Sequence, residues 1–173
     1  MMTGVVMMLA VITGSVIQVQ IPAPAALGQA RFPVLLAVTL YYALNYRAGT
    51  AFIAGILAGL VQDVLGPMPL GYSMVCFCTA GYVAGRFREL VIPEAFTTSA
   101  FFGALGGAGV TLGLAALLLS SQSVSYGFGW IGLKVLGTAL LAVLVTPIVF
   151  AVLGRIDRVV GNLQQEKTVD GFR

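Results

Sequence analysis

Long apolar runs dominate this chain, and short polar or turn-forming segments separate them. Six runs carry no charged side chain, namely residues 1–30, 32–46, 48–62, 64–85, 95–133 and 135–154. A lipid bilayer offers the backbone no hydrogen-bonding partner, so each run is predicted to form a helix. With Pro, Gly and charged residues marking the ends, the predicted helices cover about 2–20, 32–46, 49–65, 70–86, 95–119 and 130–154.

Composition identifies what surrounds these helices. The chain has 173 residues, of which 59% are hydrophobic and only 9% charged, and its mean hydropathy is +1.01. A water-soluble surface would need far more polar side chains. We therefore predict an all-α integral membrane protein, a compact bundle of six transmembrane helices over 1–154 with a short cytoplasmic C-terminal tail at 155–173. The second run is only 15 residues long, so its helix needs bilayer thinning or burial.

Basic residues predict the orientation of the bundle. With six spans, seven Lys and Arg residues fall on one side and two on the other. The larger group is Arg47, Arg86, Arg88, Arg155, Arg158, Lys167 and Arg173, and the smaller is Arg31 and Lys134. Because basic residues accumulate on the cytoplasmic side, both termini are predicted to be cytoplasmic.

The side chains used in most catalysis are scarce. Histidine is absent, which removes the commonest general base and metal ligand. Cys76 and Cys78 lack the second pair that a zinc site needs, and they are interpreted as small core- or lipid-facing residues. The net charge is only +3, and the basic residues lie at the ends of apolar runs. This pattern does not indicate nucleic-acid binding. We expect no enzymatic activity, no metal and no cofactor.

Asp63 is the only carboxylate before Glu89, and it follows a run of small residues on the third predicted helix. The favoured interpretation is a turn lock, in which the carboxylate accepts backbone hydrogen bonds from around Leu70, Gly71 and Tyr72. A proton or ion relay is the sharper alternative. A third possibility is an ion pair with Lys134, since both residues are predicted at a similar depth.

Glycine recurs at spacings of four residues, which place small residues on one helix face and allow close helix packing in lipid. The pairs are Gly55 and Gly59, Gly81 and Gly85, Gly103 and Gly107, and Gly109 and Gly113. Packing within the chain is the favoured interpretation for any single pair. A face that binds a partner helix is the alternative, above all for the glycine-rich segment 103–113.

The stretch GLVQDVLGPMPLG, between GILAG and GYVAGRF, resembles a region of the MreD family. In that family Gly-Leu-x-x-Asp is followed by a short turn and Pro-Leu-Gly. The motif positions here are Gly59, Asp63, Pro69, Leu70 and Gly71. The motif region covers about 55–88, and the chain length and six-span layout also agree.

The resemblance implies a scaffold subunit of the bacterial cell-elongation (rod) complex in the cytoplasmic (inner) membrane. Such a subunit binds MreC and supports peptidoglycan synthesis by RodA and a class B penicillin-binding protein, guided by MreB filaments. The resemblance also implies a fold like that of the substrate-binding subunits of ECF-type vitamin transporters. The alternative function is therefore a small-molecule-binding transport subunit, with the aromatic segment SYGFGW closing over a pocket. An ordinary interfacial belt explains Tyr126, Phe128 and Trp130 more simply.

Overall fold

The computed structural model describes residues 2–21, 32–66, 70–88, 96–120 and 128–160. Every regular element in these ranges is an α-helix. The helices are α1 (Met2–Gln20), α2 (Val34–Asn45), α3 (Ala48–Leu65), α4 (Tyr72–Arg86), α5 (Phe96–Ser120) and α6 (Phe128–Val160). The all-α prediction is confirmed for the described residues.

Four of these helices, α1, α3, α5 and α6, are long and apolar enough to cross a membrane. Their outer faces carry many large exposed hydrophobic side chains, such as Leu9, Leu105 and Leu144. A water-soluble protein of this size does not expose apolar surface on that scale. These helices therefore indicate a membrane protein.

Helix α2 forms the centre of the bundle. It has only 12 residues, and Val34 through Leu44 are all buried. All five of the other helices contact it. The short second run is thus accommodated by burial inside the protein, one of the two options that the sequence left open.

The remaining helices pack in pairs around α2. Helix α5 lies mainly against α6, and α3 lies mainly against α4, while α1 contacts α2 and α3. Helix α2 starts directly after Pro33, whose missing N–H is tolerated at a helix start. Helix α4 starts after Gly71, which has a left-handed φ of 102°. The bundle therefore has two ends where helix termini and polar residues collect.

Helix α6 is longer than predicted. It continues through Arg155 and Arg158 to Val160, whereas the sequence interpretation ended it at about 154. The first six residues of the predicted tail, 155–160, are helical, and Asp157 among them is completely buried. Residues 161–173 lie outside the described part of the chain.

Candidate functional site

One end of the bundle is organised by Asp63, near the end of α3. Its side chain is 2% exposed. The Gly71 N–H donates to Oδ2 at 2.7 Å, and the Ser73 N–H donates to Oδ1 at 3.0 Å. Both donors belong to the start of α4, where backbone N–H groups have no helical partner and the helix dipole favours an anion. This geometry agrees with the turn lock that the sequence favoured.

Gly71 makes the turn possible. Its φ of 102° is accessible to glycine but strained for residues with a side chain. The hydrogen bond from the Gly71 N–H to Asp63 connects the start of α4 to the end of α3. Leu70, beside Gly71, is exposed. Pro69, the other motif residue of this turn, lies outside the described residues.

A second polar contact at this end was not recognised as a site from the sequence. The Gln18 Nε2 donates to the Gln62 Oε1 at 2.6 Å, and the Gln18 Oε1 accepts the Leu35 N–H at 3.3 Å. Leu35 lies in the first turn of α2, so Gln18 satisfies a backbone donor that the helix itself cannot. One glutamine thereby joins α1, α2 and α3. Its only signal in the sequence is a polar residue in the last turn of an apolar helix.

The predicted pair of Asp63 with Lys134 stays a prediction. Both hydrogen bonds described above for the Asp63 carboxylate come from backbone N–H groups. Lys134 lies on α6, which packs chiefly against α5 and α2, whereas α3 packs chiefly against α4 and α2.

The glycines of α3 lie where α3 meets α4. A Cβ at Gly59 would overlap the backbone of Met74, and one at Gly55 would lie 3.2 Å from the Cα of Cys78. The same face ends at Asp63, so close helix approach and the turn lock belong to one packing surface. Cys76 and Cys78 are free thiols on α4, the first buried and the second partly buried.

The other glycine pairs also face neighbouring helices of the same chain, with one exception. A Cβ at Gly103 would overlap the side chain of Thr146, and one at Gly107 would lie 3.0 Å from the Cβ of Ala142, both on α6. The exception is Gly109, where an added Cβ would meet no atom of the described residues within 4 Å apart from its own stretch of helix.

Three further glycines lie 3.1–3.5 Å from their neighbours, measured from an added Cβ. A Cβ at Gly81 would lie 3.4 Å from Thr39 Cγ2, and one at Gly85 would lie 3.5 Å from the Ala43 carbonyl oxygen. At Gly113 it would lie 3.1 Å from the Cys76 Sγ. These glycine faces therefore pack against other helices of the same bundle, whereas Gly109 lies on an exposed face.

The opposite end of the bundle holds a buried carboxylate that sequence reasoning missed. Asp157 is 0% exposed, and its Oδ2 accepts hydrogen bonds from the Tyr41 hydroxyl at 2.8 Å and the Tyr46 hydroxyl at 2.7 Å. Nearby, the Arg88 Nη1 donates to the Tyr46 carbonyl at 2.9 Å. This tyrosine–aspartate cluster, Tyr41, Tyr46 and Asp157, fastens the end of α2 to the end of α6.

A cleft of about 290 Å³ lies beside this cluster, between α2, α5 and α6. Its walls combine apolar residues of α5 and α6 with arginines near the end of α6. The main lining residues are Tyr41, Phe96, Pro147, Phe150, Arg155 and Arg158. Among the described residues, no group of three or more His, Cys, Asp or Glu side chains could hold a metal ion.

Comparisons of the chain with models of protein families, with curated proteins and with solved structures found no match in any of the three. Functional inference therefore rests on the geometry above and on the motif around Asp63.

Proposed function

We propose that this protein is a non-enzymatic scaffold of the bacterial inner membrane, a multi-pass subunit of the rod complex that directs cell elongation. In this proposal it crosses the membrane six times and has both termini in the cytoplasm. It binds MreC, a single-span membrane protein, and supports the peptidoglycan synthase formed by RodA and a class B penicillin-binding protein, which MreB filaments guide. The motif carrying the proposal is the one centred on Asp63.

The observation that favours a scaffold over a transport subunit is the central position of α2 among the helices that the structure describes. A subunit that carries a vitamin needs a cavity of several hundred Å³ enclosed by its helices. Here α2 occupies that central position, with Val34 through Leu44 buried against its neighbours. The cleft described above lies at the Arg155 end, away from the turn locked by Asp63.

The surface offered to a partner helix is the outer face of α5, defined by Phe101, Leu105, Gly109 and Leu112. The three large side chains are each more than half exposed, and the space around Gly109 is open. An exposed glycine between apolar side chains allows the backbone of another membrane helix to come close, which is a principal source of attraction between helices in lipid. Thus the partner helix is proposed to lie across Gly109.

Site-specific photo-crosslinking in cells tests this proposal. A crosslinking residue at Leu105 or Leu112 should capture MreC, whereas one at Leu114 or Val110, on the inner side of α5, should give no intermolecular product. Equal capture of MreC from the outer and inner sides of α5, or capture from neither side, would contradict the proposed binding face. Co-purification with an ATPase module, or with a bound vitamin-sized ligand, would instead support the transport-subunit alternative.

A further inference from the structure

The cleft between α2, α5 and α6 changes from apolar to cationic along its length. Pro147 and Phe150 line one part of it, and Arg155 and Arg158 line another. Pro147 precedes Arg155 by two helical turns, about 12 Å along α6. The cleft thus offers an apolar wall continuous with a site of positive charge.

The position of this gradient fits a bilayer. Lys134 and Arg155 are 21 residues apart on α6, or about 31 Å, which is close to the roughly 30 Å thickness of the hydrocarbon core. If Lys134 lies near one membrane surface, Arg155 lies at the headgroup level of the other. Pro147 then lies within the hydrocarbon region. Headgroup depth and acyl-chain depth therefore coincide with the cationic and apolar parts of the cleft.

The cleft also opens sideways. Phe96, Ala151 and Arg155 line it and are exposed on the surface of the bundle. A lipid could enter from the membrane without passing through the protein. Among the described residues, the charged side chains that line the cleft are those of Arg155 and Arg158. The Asp157 carboxylate beside it is completely buried and accepts hydrogen bonds from Tyr41 and Tyr46.

We propose that this cleft binds an anionic phospholipid, with its phosphate at Arg155 and Arg158 and the start of an acyl chain along Pro147 and Phe150. Arginine suits this role because its planar guanidinium can donate two parallel hydrogen bonds to a phosphate. This inference is independent of MreC binding. If the arginines served only to orient the chain in the membrane, the cleft would show no preference among lipids.

Binding of dioleoylphosphatidylglycerol to the delipidated full-length protein in detergent, followed by native mass spectrometry, tests the proposal. The wild type should reach half-saturation at a concentration about tenfold lower with this lipid than with dioleoylphosphatidylcholine. The double variant Arg155→Gln/Arg158→Gln should lose that preference. Ala151→Phe should weaken binding of both lipids, because the added ring occupies the apolar part of the cleft while the arginines remain.

Arg86→Gln is the matched control. Arg86 is another exposed arginine, at the end of α4, where it lies against Tyr82. This variant should keep the lipid preference of the wild type, and unfolding temperatures without added lipid show whether each variant is folded. Equal binding of the two lipids, equal loss in Arg86→Gln, or unchanged binding in Ala151→Phe would overturn the proposal. So would full competition by glycerol 3-phosphate, because a free phosphate compound would then be the ligand.

Discussion

Asp63 and Asp157 are both almost completely buried, yet they obtain their hydrogen bonds in different ways. Asp63 accepts from two backbone N–H groups within ten residues of it. Asp157 accepts from two tyrosine hydroxyls at and just after the end of α2, which are 116 and 111 residues away in the sequence. A buried carboxylate is tolerated only when its oxygens are satisfied, so each aspartate fixes the elements that supply its donors. The two carboxylates thereby hold opposite ends of the bundle.

Asp63→Asn should destabilise the protein by about 1–3 kcal/mol, the usual cost of leaving a buried polar group unsatisfied. The carboxylate uses both oxygens, whereas asparagine presents one oxygen and directs an N–H₂ group toward a backbone donor. Thermal unfolding in detergent measures the change. Ser73→Ala is the control in the same turn, because the Ser73 hydroxyl is buried and meets no hydrogen-bond partner in the described part of the chain, so its loss should be neutral or stabilising. An Asp63→Asn protein as stable as the wild type would contradict the turn lock.

Tyr41 and Tyr42 provide a test of the other carboxylate with identical substitutions at adjacent positions. Tyr41→Phe removes a hydrogen bond to Asp157 and should reduce the free energy of unfolding by about 1.5–3 kcal/mol, the range for hydrogen bonds to charged groups. Tyr42→Phe removes a buried hydroxyl that has no hydrogen-bond partner among the described residues, and it should be neutral or stabilising. Unfolding in detergent compares the two variants with the wild type. The same loss in both would show that the hydrogen bond from Tyr41 to Asp157 contributes no more to stability than the Tyr42 hydroxyl does.

At the scale of elements, glycine decides how closely the helices approach. Gly59 faces the backbone of Met74 across the α3–α4 contact, and Gly103 faces Thr146 across the α5–α6 contact. In lipid, helices are held together by such close packing and by interhelical hydrogen bonds, since apolar side chains gain little by leaving a hydrocarbon solvent. These contacts are therefore expected to supply much of the stability of the bundle.

Gly59→Ala should separate α3 from α4 and destabilise the protein by about 1–3 kcal/mol, because the new methyl group overlaps backbone atoms that cannot move independently. Gly109→Ala is the matched control on an open helix face, and it should be neutral or stabilising by up to about 1 kcal/mol. Unfolding of both variants in the same detergent gives the comparison. A Gly109→Ala loss as large as that of Gly59→Ala would contradict this explanation, because alanine favours the helix and the cost would then not depend on overlap with α4.

The sequence was sufficient for most helix boundaries and for the local turn. All the predicted helix ends lie within two residues of those observed, except the end of α6. Charge-free runs locate membrane helices, but a helix can continue beyond a charged residue, as α6 does after Arg155. The sequence does contain a signal for the longer helix. Phe150, Leu153 and Asp157, which are buried in the structure, are spaced three and four residues apart, as on one face of a helix.

Distance along the chain explains which contacts could be predicted. Asp63 and its donors are eight and ten residues apart, so the turn alone specifies them. Tyr41 and Asp157 are 116 residues apart, and their contact depends on how α2 and α6 pack. One sequence provides helix faces but not the order in which they meet. The cleft beside Arg155 could not be predicted for the same reason, because it forms only where α2, α5 and α6 pack together.

At the scale of the whole molecule, the central position of α2 raises the question of how many times the chain crosses the membrane. A helix of 12 residues is about 18 Å long, well short of the hydrocarbon thickness of about 30 Å. Protein surrounds it on all sides, so its length need not match the bilayer. The same argument applies in part to α4, which has 15 residues and packs against α2, α3 and α5.

Labelling of single cysteines distinguishes six crossings from four. Both arrangements leave the two termini on the same side, so reporters at the termini cannot separate them. They differ at the two connections that flank α3. With both termini in the cytoplasm, as proposed, six crossings place the Arg47 connection in the cytoplasm and the turn at Leu70 outside, whereas four crossings, by α1, α3, α5 and α6 alone, exchange the two.

The substitutions Gly49→Cys and Leu70→Cys, made after replacing Cys76 and Cys78 with alanine, place thiols at these connections. Both positions are exposed, and a side chain at Gly49 meets no atom within 4 Å. A membrane-impermeant maleimide applied to intact spheroplasts should label Leu70→Cys and spare Gly49→Cys until the membrane is opened. This result is expected because Arg47 beside Gly49 favours the cytoplasmic side. The reverse labelling would indicate four crossings and would contradict the described bundle, in which Gln18 near the end of α1 contacts Gln62 near the end of α3, so that these two helices run in the same direction.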